Sequence, residues 1–366
     1  MQQLSLIASL AVALLVGLIL LLTSHWHGHW STDSNAGIQR NHSGSTPRIG
    51  GVAVVAGALA GWAWGPEASQ PLLGFMLLAG TPAFAFGLVE DLSKRVSVSA
   101  RLLATLSCGV LGYLFTGHSI RDVQVPGMDW LLGSTLLSVA FTAFAAAGVA
   151  NAVNIIDGMN GLASGTVIVI LCSFALMSQA LGDVALMQTC LILGAATLGF
   201  LLLNWPMGKI FLGDGGAYFL GFSVAWVAVL LLQRHPEVSA WAPLLVCSYP
   251  VLEVLFSVQR RWRRNRHMDA PDRLHLHSLI KRRLVRHLLP KGSRLARNSV
   301  SGAILWGAGV LPAYIAYHWY TNTMALAFGL VMCALMYSAF YTRLTQFRWC
   351  LWSFLEQSLA KAPARP

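Results

Sequence analysis

Charge is what this 366-residue sequence has least of. Only 11% of its residues are Asp, Glu, Lys or Arg, where a soluble domain carries about 25%. Acids are the scarcer half, 14 against 25 Lys and Arg, which leaves a formal net charge of +11. With 56% hydrophobic residues, an ordinary soluble globule is excluded. The composition predicts an all-α polytopic integral membrane protein. Cysteine is sparse as well. Cys108, Cys172, Cys190, Cys247, Cys333 and Cys350 show no CxxC spacing, and five sit inside apolar stretches. That argues against a disulfide framework or thiolate metal centre and leaves small buried hydrophobes. There is no internal repeat and no low-complexity linker, so paired half-transporter copies are not visible. Met1-Gln2-Gln3 supplies no positive n-region, and no small-residue cleavage site follows. The first apolar segment is therefore expected to be a span and not a cleaved signal.

Long hydrophobic runs are what the chain has in abundance. A spanning helix needs about 20 apolar residues. Segments near 4–22, 49–65, 71–89, 102–118, 130–150, 162–181, 185–203, 215–233, 240–258, 298–318 and 322–341 approach that length. About eleven transmembrane helices in one bundle are expected, as a single domain over 1–366 with a basic loop at 259–297. Thirteen of the 25 Lys and Arg fall between Arg260 and Arg297. In a membrane protein such a run suits a cytoplasmic loop, anionic membrane lipids or a phosphorylated substrate better than a nucleic acid, and no nucleic-acid partner is expected. Alternate loops repeat the bias. One set holds Arg40, Arg48, Lys94, Arg95, Arg101, Lys209, the basic run and the tail with Arg343, Arg348, Lys361 and Arg365; the other holds little beyond Arg121 and Arg234. The bias predicts a cytoplasmic first set, a periplasmic N-terminus and a cytoplasmic C-terminus.

Every polar cluster falls in that first set. Phe211-Leu212-Gly213-Asp214-Gly215-Gly216 lodges a carboxylate between two apolar segments, where a charge is costly and usually functional. Asp214 fits a Mg²⁺ ligand, with glycine N–H groups for an anion at the next helix start; a plain helix N-cap is the other reading. Asn151, Asn154 and Asp157 are spaced three apart and converge on one helical face before Gly158, with Asn160 just beyond. They suit a metal or a base edge, or else a turn-forming polar loop. Glu90-Asp91 ends an apolar run ahead of Lys94-Arg95. One carboxylate faces a site and the other supports it, or both simply end a solvated helix. His275 and His277, two residues apart in the basic loop, would point one way on an extended segment. They suit pyrophosphate, with a zinc fragment or a surface pair as alternatives. His25, His27 and His29 alternate with Trp26, Gly28 and Trp30, as in an interfacial aromatic belt.

Taken in order, these motifs resemble the polyprenyl-phosphate N-acetylhexosamine-1-phosphate transferases, in the WecA-like branch of the WecA/MraY superfamily (glycosyltransferase family 4). Thr46-Pro47-Arg48-Ile49-Gly50-Gly51 looks like the family's opening motif, and Glu90-Asp91 stands where the family has paired Asp. Asn151 to Gly161 is similar to NxxNxxDGxDGL, Phe211 to Asp214 to FxGD, and Pro271 to His277 to the final histidine motif. There are departures. Glu90 replaces the first Asp of the pair, Asn160 replaces the second Asp of DGxDG, and Ser278 follows His277 where a further His is usual. The family's lysine after the carboxylate pair is also absent, with Ser99 near its place and Lys94, Arg95 or Arg101 as substitutes.

The resemblance implies transfer of a sugar-1-phosphate from a UDP-N-acetylsugar to undecaprenyl phosphate, with Mg²⁺ (Mn²⁺ as substitute) and release of UMP. It places the active site on the cytoplasmic face of the bacterial inner membrane and points to a cell-envelope polysaccharide such as the O-antigen of lipopolysaccharide. It leaves room for a homodimer. It implies catalytic roles for Glu90, Asp91 and Asp157, and Mg²⁺ on Asp214 with Asn154. Phe211 would stack on the uracil and Asn160 touch its edge, while Arg273, His275, His277 and Lys94 would hold the phosphates. A phosphate monoester has its second pKa near 6, so the acceptor needs little base. Direct displacement is expected, with Asp91 positioning; a phosphoryl-enzyme on Asp91 or Glu90 is the rival route. A transporter or flippase, or a non-catalytic relative, is the alternative function.

Overall fold

The computed structural model describes residues 2–32, 46–263 and 274–346. Long apolar runs fold as helices here because a segment in hydrocarbon must satisfy its own backbone polar groups. In chain order they are α1 (Gln2–Leu22), α2 (Ser24–Ser31), α3 (Gly50–Ala63), α4 (Gln70–Ala79), α5 (Thr81–Ser93) and α6 (Val98–Thr116). Next come α7 (Met128–Leu132), α8 (Thr135–Ile156), α9 (Leu162–Ala180), α10 (Val184–Asn204), α11 (Gly213–Arg234), α12 (Trp241–Val246) and α13 (Ser248–Arg263). Then α14 (Leu276–Ile280) runs through a π-helical turn at Lys281–Val285 into α15 (Arg286–Leu288), followed by α16 (Arg294–Trp319) and α17 (Thr323–Gln346). Side-chain caps start four of them, one being Asn322 before α17, which accepts from the Ala325 N–H (3.1 Å). Ser97 accepts from the Ala100 N–H (3.2 Å), Asp183 from Leu186 (3.0 Å) and Ser293 from Ala296 (3.1 Å), each satisfying an N–H that the helix leaves open.

Every expected span lies on helix, but not every one is a continuous crossing. Among the described residues eight helices are long and apolar enough to span, or nine if α4 and α5, bent by 45°, form one span. The break has a local cause: Pro82, in the first turn of α5, donates no N–H to the helix before it. The second expected span, α3, is only 14 residues long. The ninth is split at Cys247 into α12 and α13.

α11 is the centre of the bundle. Its spanning window is 89% buried, against 17% for α17 and 22% for α1, which face outward. It packs on α8, α5, α3 and α9, and the closest approaches are glycine on glycine. A Cβ on Gly87 of α5 would lie 2.5 Å from the Gly215 Cα, and one on Gly51 of α3 would meet the Gly216 backbone. Such small-residue seams let helices in a bilayer gain close van der Waals packing. They also bring three polar helix ends together. At the opposite end of the bundle, Asp183 accepts from Arg234 Nε (2.5 Å) and Nη2 (3.0 Å), and the Thr323 hydroxyl donates to Gln124 (2.7 Å).

Candidate active site

Asp214 is set in place by its backbone. The Phe211 N–H donates to the Pro47 carbonyl (2.8 Å), and the Gly50 and Gly51 N–H groups donate back to Phe211 (2.9 Å) and Leu212 (2.8 Å). Gly213, at φ +77, then turns the chain into α11 through a conformation that a side chain would strain. Asp91 caps the new helix with both oxygens, accepting from the Asp214 N–H (2.9 Å) and the Gly215 N–H (3.0 Å). It is 1% exposed. A buried carboxylate on a helix N-terminus is stabilised by the open N–H groups and the dipole.

The Asp214 side chain gathers the other motifs. Its Oδ1 accepts from Asn154 (3.1 Å) and Arg48 (3.4 Å), and its Oδ2 from Arg101. Arg48 also lies 3.9 Å from Asp91. Asp157 ends α8 beside the Gly213 N–H; burial raises its carboxyl well above the ordinary range, Asp214 and Asp91 add to this, and Arg48 opposes it. Three carboxyl groups and two guanidiniums therefore share one point, and burial favours the neutral form of Asp157 there. Of the residues spaced three apart, Asn154 reaches Asp214, whereas Asn151 folds back on the Ala147 carbonyl (2.8 Å). The expected substitutes for the family's lysine separate as well. Arg101 pairs with Asp214, while Lys94, in a left-handed conformation at φ +57, is exposed. Glu90 accepts from the Val96 N–H (2.8 Å) and closes the turn after α5.

Asn160 and the histidines come from the far side of the same end. Asn160 is 1% exposed. Its amide donates to Ser299 (3.1 Å) and the Pro206 carbonyl (3.3 Å), and its oxygen accepts from Asn298 (3.0 Å). Asn298 in turn accepts from Lys281 (3.4 Å), whose amine burial and Arg294 push down to about 8. The His277 ring lies over Gly158, where a Cβ would sit 2.6 Å from its Nε2. His275 stacks on it with centroids 5.3 Å apart. Phe211 is half-buried on the irregular step before Gly213. Arg273 lies outside the described residues, as does Cys350. Sequence reasoning did not single out Glu253, Asn298 or Ser299. Glu253 had a readable signal, as the one acid within an apolar segment; Asn298 and Ser299 carried none beyond ordinary polarity.

Fold and site together define an all-helical, multi-pass membrane protein with an acid–arginine cluster at the N-terminus of its central helix. The family model of Glycosyl transferase family 4 matches residues 73–232. A probable undecaprenyl-phosphate N-acetylglucosaminyl 1-phosphate transferase of Bacillus subtilis is 28% identical over 237 residues, covering 64% of this chain and 66% of the relative. The undecaprenyl-phosphate alpha-N-acetylglucosaminyl 1-phosphate transferase of Escherichia coli K12 is 27% identical over 293 residues, 75% of each chain. The enzyme of that name from Yersinia pestis is 25% identical over 250 residues, 67% of this chain and 68% of the relative. Over residues 73–232 the chain is thus similar to glycosyl transferase family 4, and the named relatives place that similarity in its WecA-like branch.

Proposed function

We propose that this protein transfers a sugar-1-phosphate from a UDP-N-acetylhexosamine, or a deoxy relative, to undecaprenyl phosphate. An acceptor phosphate oxygen forms a bond to the donor's β-phosphorus, the bond from that phosphorus to the bridging oxygen breaks, and UMP leaves. The product is undecaprenyl-diphosphate-sugar, the starting unit of a cell-envelope polysaccharide. The names of the relatives support the two substrates. The observation that carries the reading is Asp214 on the first turn of α11, held among Arg48, Arg101 and Asn154.

The residues fit Mg²⁺ (or Mn²⁺) by the chemistry of their donors. Among the described residues no group of three His, Cys, Asp or Glu forms a closed ligand set, and Mg²⁺ is usually held by one or two carboxylates with waters and substrate phosphates completing its shell. Asp214 with Asn154, and Asp157 beside them, would hold it, and when bound it would neutralise phosphate oxygens. Arg48 and Arg101 supply fixed positive charge for the diphosphate. Asp91 keeps α11 in register from beneath, and Asn160, with α16, holds the turn after α8. Phe211 offers a ring for the uracil. Lys94 stands at the exposed rim, where the acceptor headgroup would arrive. The acceptor is largely dianionic at neutral pH, so no residue is assigned as its base.

The unit is taken as one transferase domain over 1–366 with eleven crossings, counting α3, the α4–α5 pair and the α12–α13 pair, and with the basic 259–297 segment at the cytoplasmic face of the inner membrane. The test is UMP release by purified protein given Mg²⁺, undecaprenyl phosphate and a panel of UDP-N-acetylsugars. UMP should require both lipid and metal, and Asp214→Asn should lower the rate by about a hundredfold or more. Absence of UMP with every donor, from folded protein, would sink the proposal.

A further inference from the structure

Glu253 belongs to none of the motifs, yet it is among the most enclosed acids of the protein. It lies on α13, is 1% exposed, and both its oxygens are used. Oε1 accepts from His275 Nδ1 (2.9 Å) and the Leu276 N–H (3.1 Å); Oε2 accepts from Tyr337 Oη (2.9 Å) and, at 3.3 Å, from the same Leu276 N–H. One carboxylate therefore ties together α13, the start of α14 and α17. A buried carboxylate is costly unless its lone pairs are filled, and the ones filled here are on the histidine segment.

We propose that Glu253 is a positioning residue for donor binding. It holds a proton on His275 Nδ1, fixes the ring plane, and leaves Nε2 as the edge that meets a phosphate oxygen of a nucleoside diphosphate. The ring orientation is doubly constrained, because His275 stacks on His277 at an interplanar angle of 5° and His277 covers Gly158 in the turn next to Asp157. The chain of contact thus runs from Glu253 to the acid–arginine cluster without Glu253 touching substrate. A carboxylate behind a histidine fixes which nitrogen is protonated and favours the charged ring when an anion approaches the other. The choice of ligand rests on the transferase reading; the orientation of His275 does not.

The test uses the full-length protein in detergent and two readouts. In the ¹⁵N spectrum of histidine-labelled protein without substrate, His275 (assigned by its loss in His275→Gln) should carry its proton on Nδ1, and Glu253→Gln should shift that signal. A wild-type ring protonated on Nε2 alone would overturn the proposal whatever the variants do. Calorimetric titration with UDP should show affinity about tenfold weaker in Glu253→Gln and in His275→Gln. The double variant should be no weaker than the worse single, because both changes remove one interaction. Multiplying losses, or an unchanged UDP affinity in Glu253→Gln, would overturn it. Should Gln lower the melting temperature markedly, Glu253→Asp is read against the same criteria. A wild-type protein with the expected ring spectrum that fails to bind UDP would refute the donor reading and not the His275 geometry.

Discussion

Asp91 and Asp214 are both buried aspartates at one helix end, and their hydrogen-bond partners separate what they do. Asp91 has both oxygens committed to the N–H groups of residues 214 and 215, whereas Asp214 presents its carboxylate to side chains that a ligand can compete with. Asp91→Asn keeps one acceptor and loses the charge on the α11 N-terminus. Stability should fall by about 1–2 kcal/mol, measured as melting temperature of the purified protein. UMP release should fall by about a hundredfold, because the turn that carries Asp214 moves with its cap. A variant as stable and as active as wild type would mean that the cap does not position Asp214. At this scale much was legible: Asp214, Asn154, Asp91 and Asp157 stand in the sequence as costly polar groups beside apolar runs, and they meet. What stayed hidden is which cations they meet. Arg48 is about forty residues from Asp91 and Arg101 more than a hundred from Asp214, and only the packing of α3 and α6 around α11 chooses them over Lys94 and Arg95.

Helices are placed by their smallest residues. Gly87 and Gly215 bring α5 and α11 to backbone contact, so Asp91, one turn after Gly87, arrives over the α11 N-terminus. Gly87→Ala would put a Cβ 2.5 Å from backbone atoms of Gly215. Backbone cannot swing aside as a side chain can, and overpacking of this kind costs about 1–3 kcal/mol. Gly148→Ala on α8 is the control, since its Cβ would meet nothing within 4 Å. The first should lower both the melting temperature and UMP release, and the second should leave both near wild type; equal behaviour of the two would show that the seam is not what seats Asp91. Element boundaries were readable where a run was unbroken, as for α9, α10 and α11. They were not readable where hydropathy stays high across a break. The apolar character continues through Gly80 to Pro82 and through Cys247, so a window about as long as a span averages over the bend.

At the scale of the whole molecule, the chemistry is sorted to one end. The segments carrying Arg48, Asp91, Arg101, Asp157, Asp214 and His277 converge there, while the opposite loops hold Glu67, Arg121, Asp183 and Arg234. A transporter needs its charges near the middle of the bilayer; a group transfer between a soluble nucleotide sugar and a lipid phosphate needs them at an interface both substrates can reach. The same sorting predicts the orientation, because loops rich in Lys and Arg are preferentially retained inside. Two single-cysteine additions test it in spheroplasts of an expressing bacterium, with the parent chain labelled in parallel. Lys291→Cys and Glu67→Cys are both at exposed positions, at the site end and the opposite end. A membrane-impermeant maleimide should label Glu67→Cys in intact spheroplasts and Lys291→Cys only after permeabilisation. The reverse pattern would put Asp214 on the outer face, away from cytoplasmic UDP-sugars, and the transferase reading would fall with the topology.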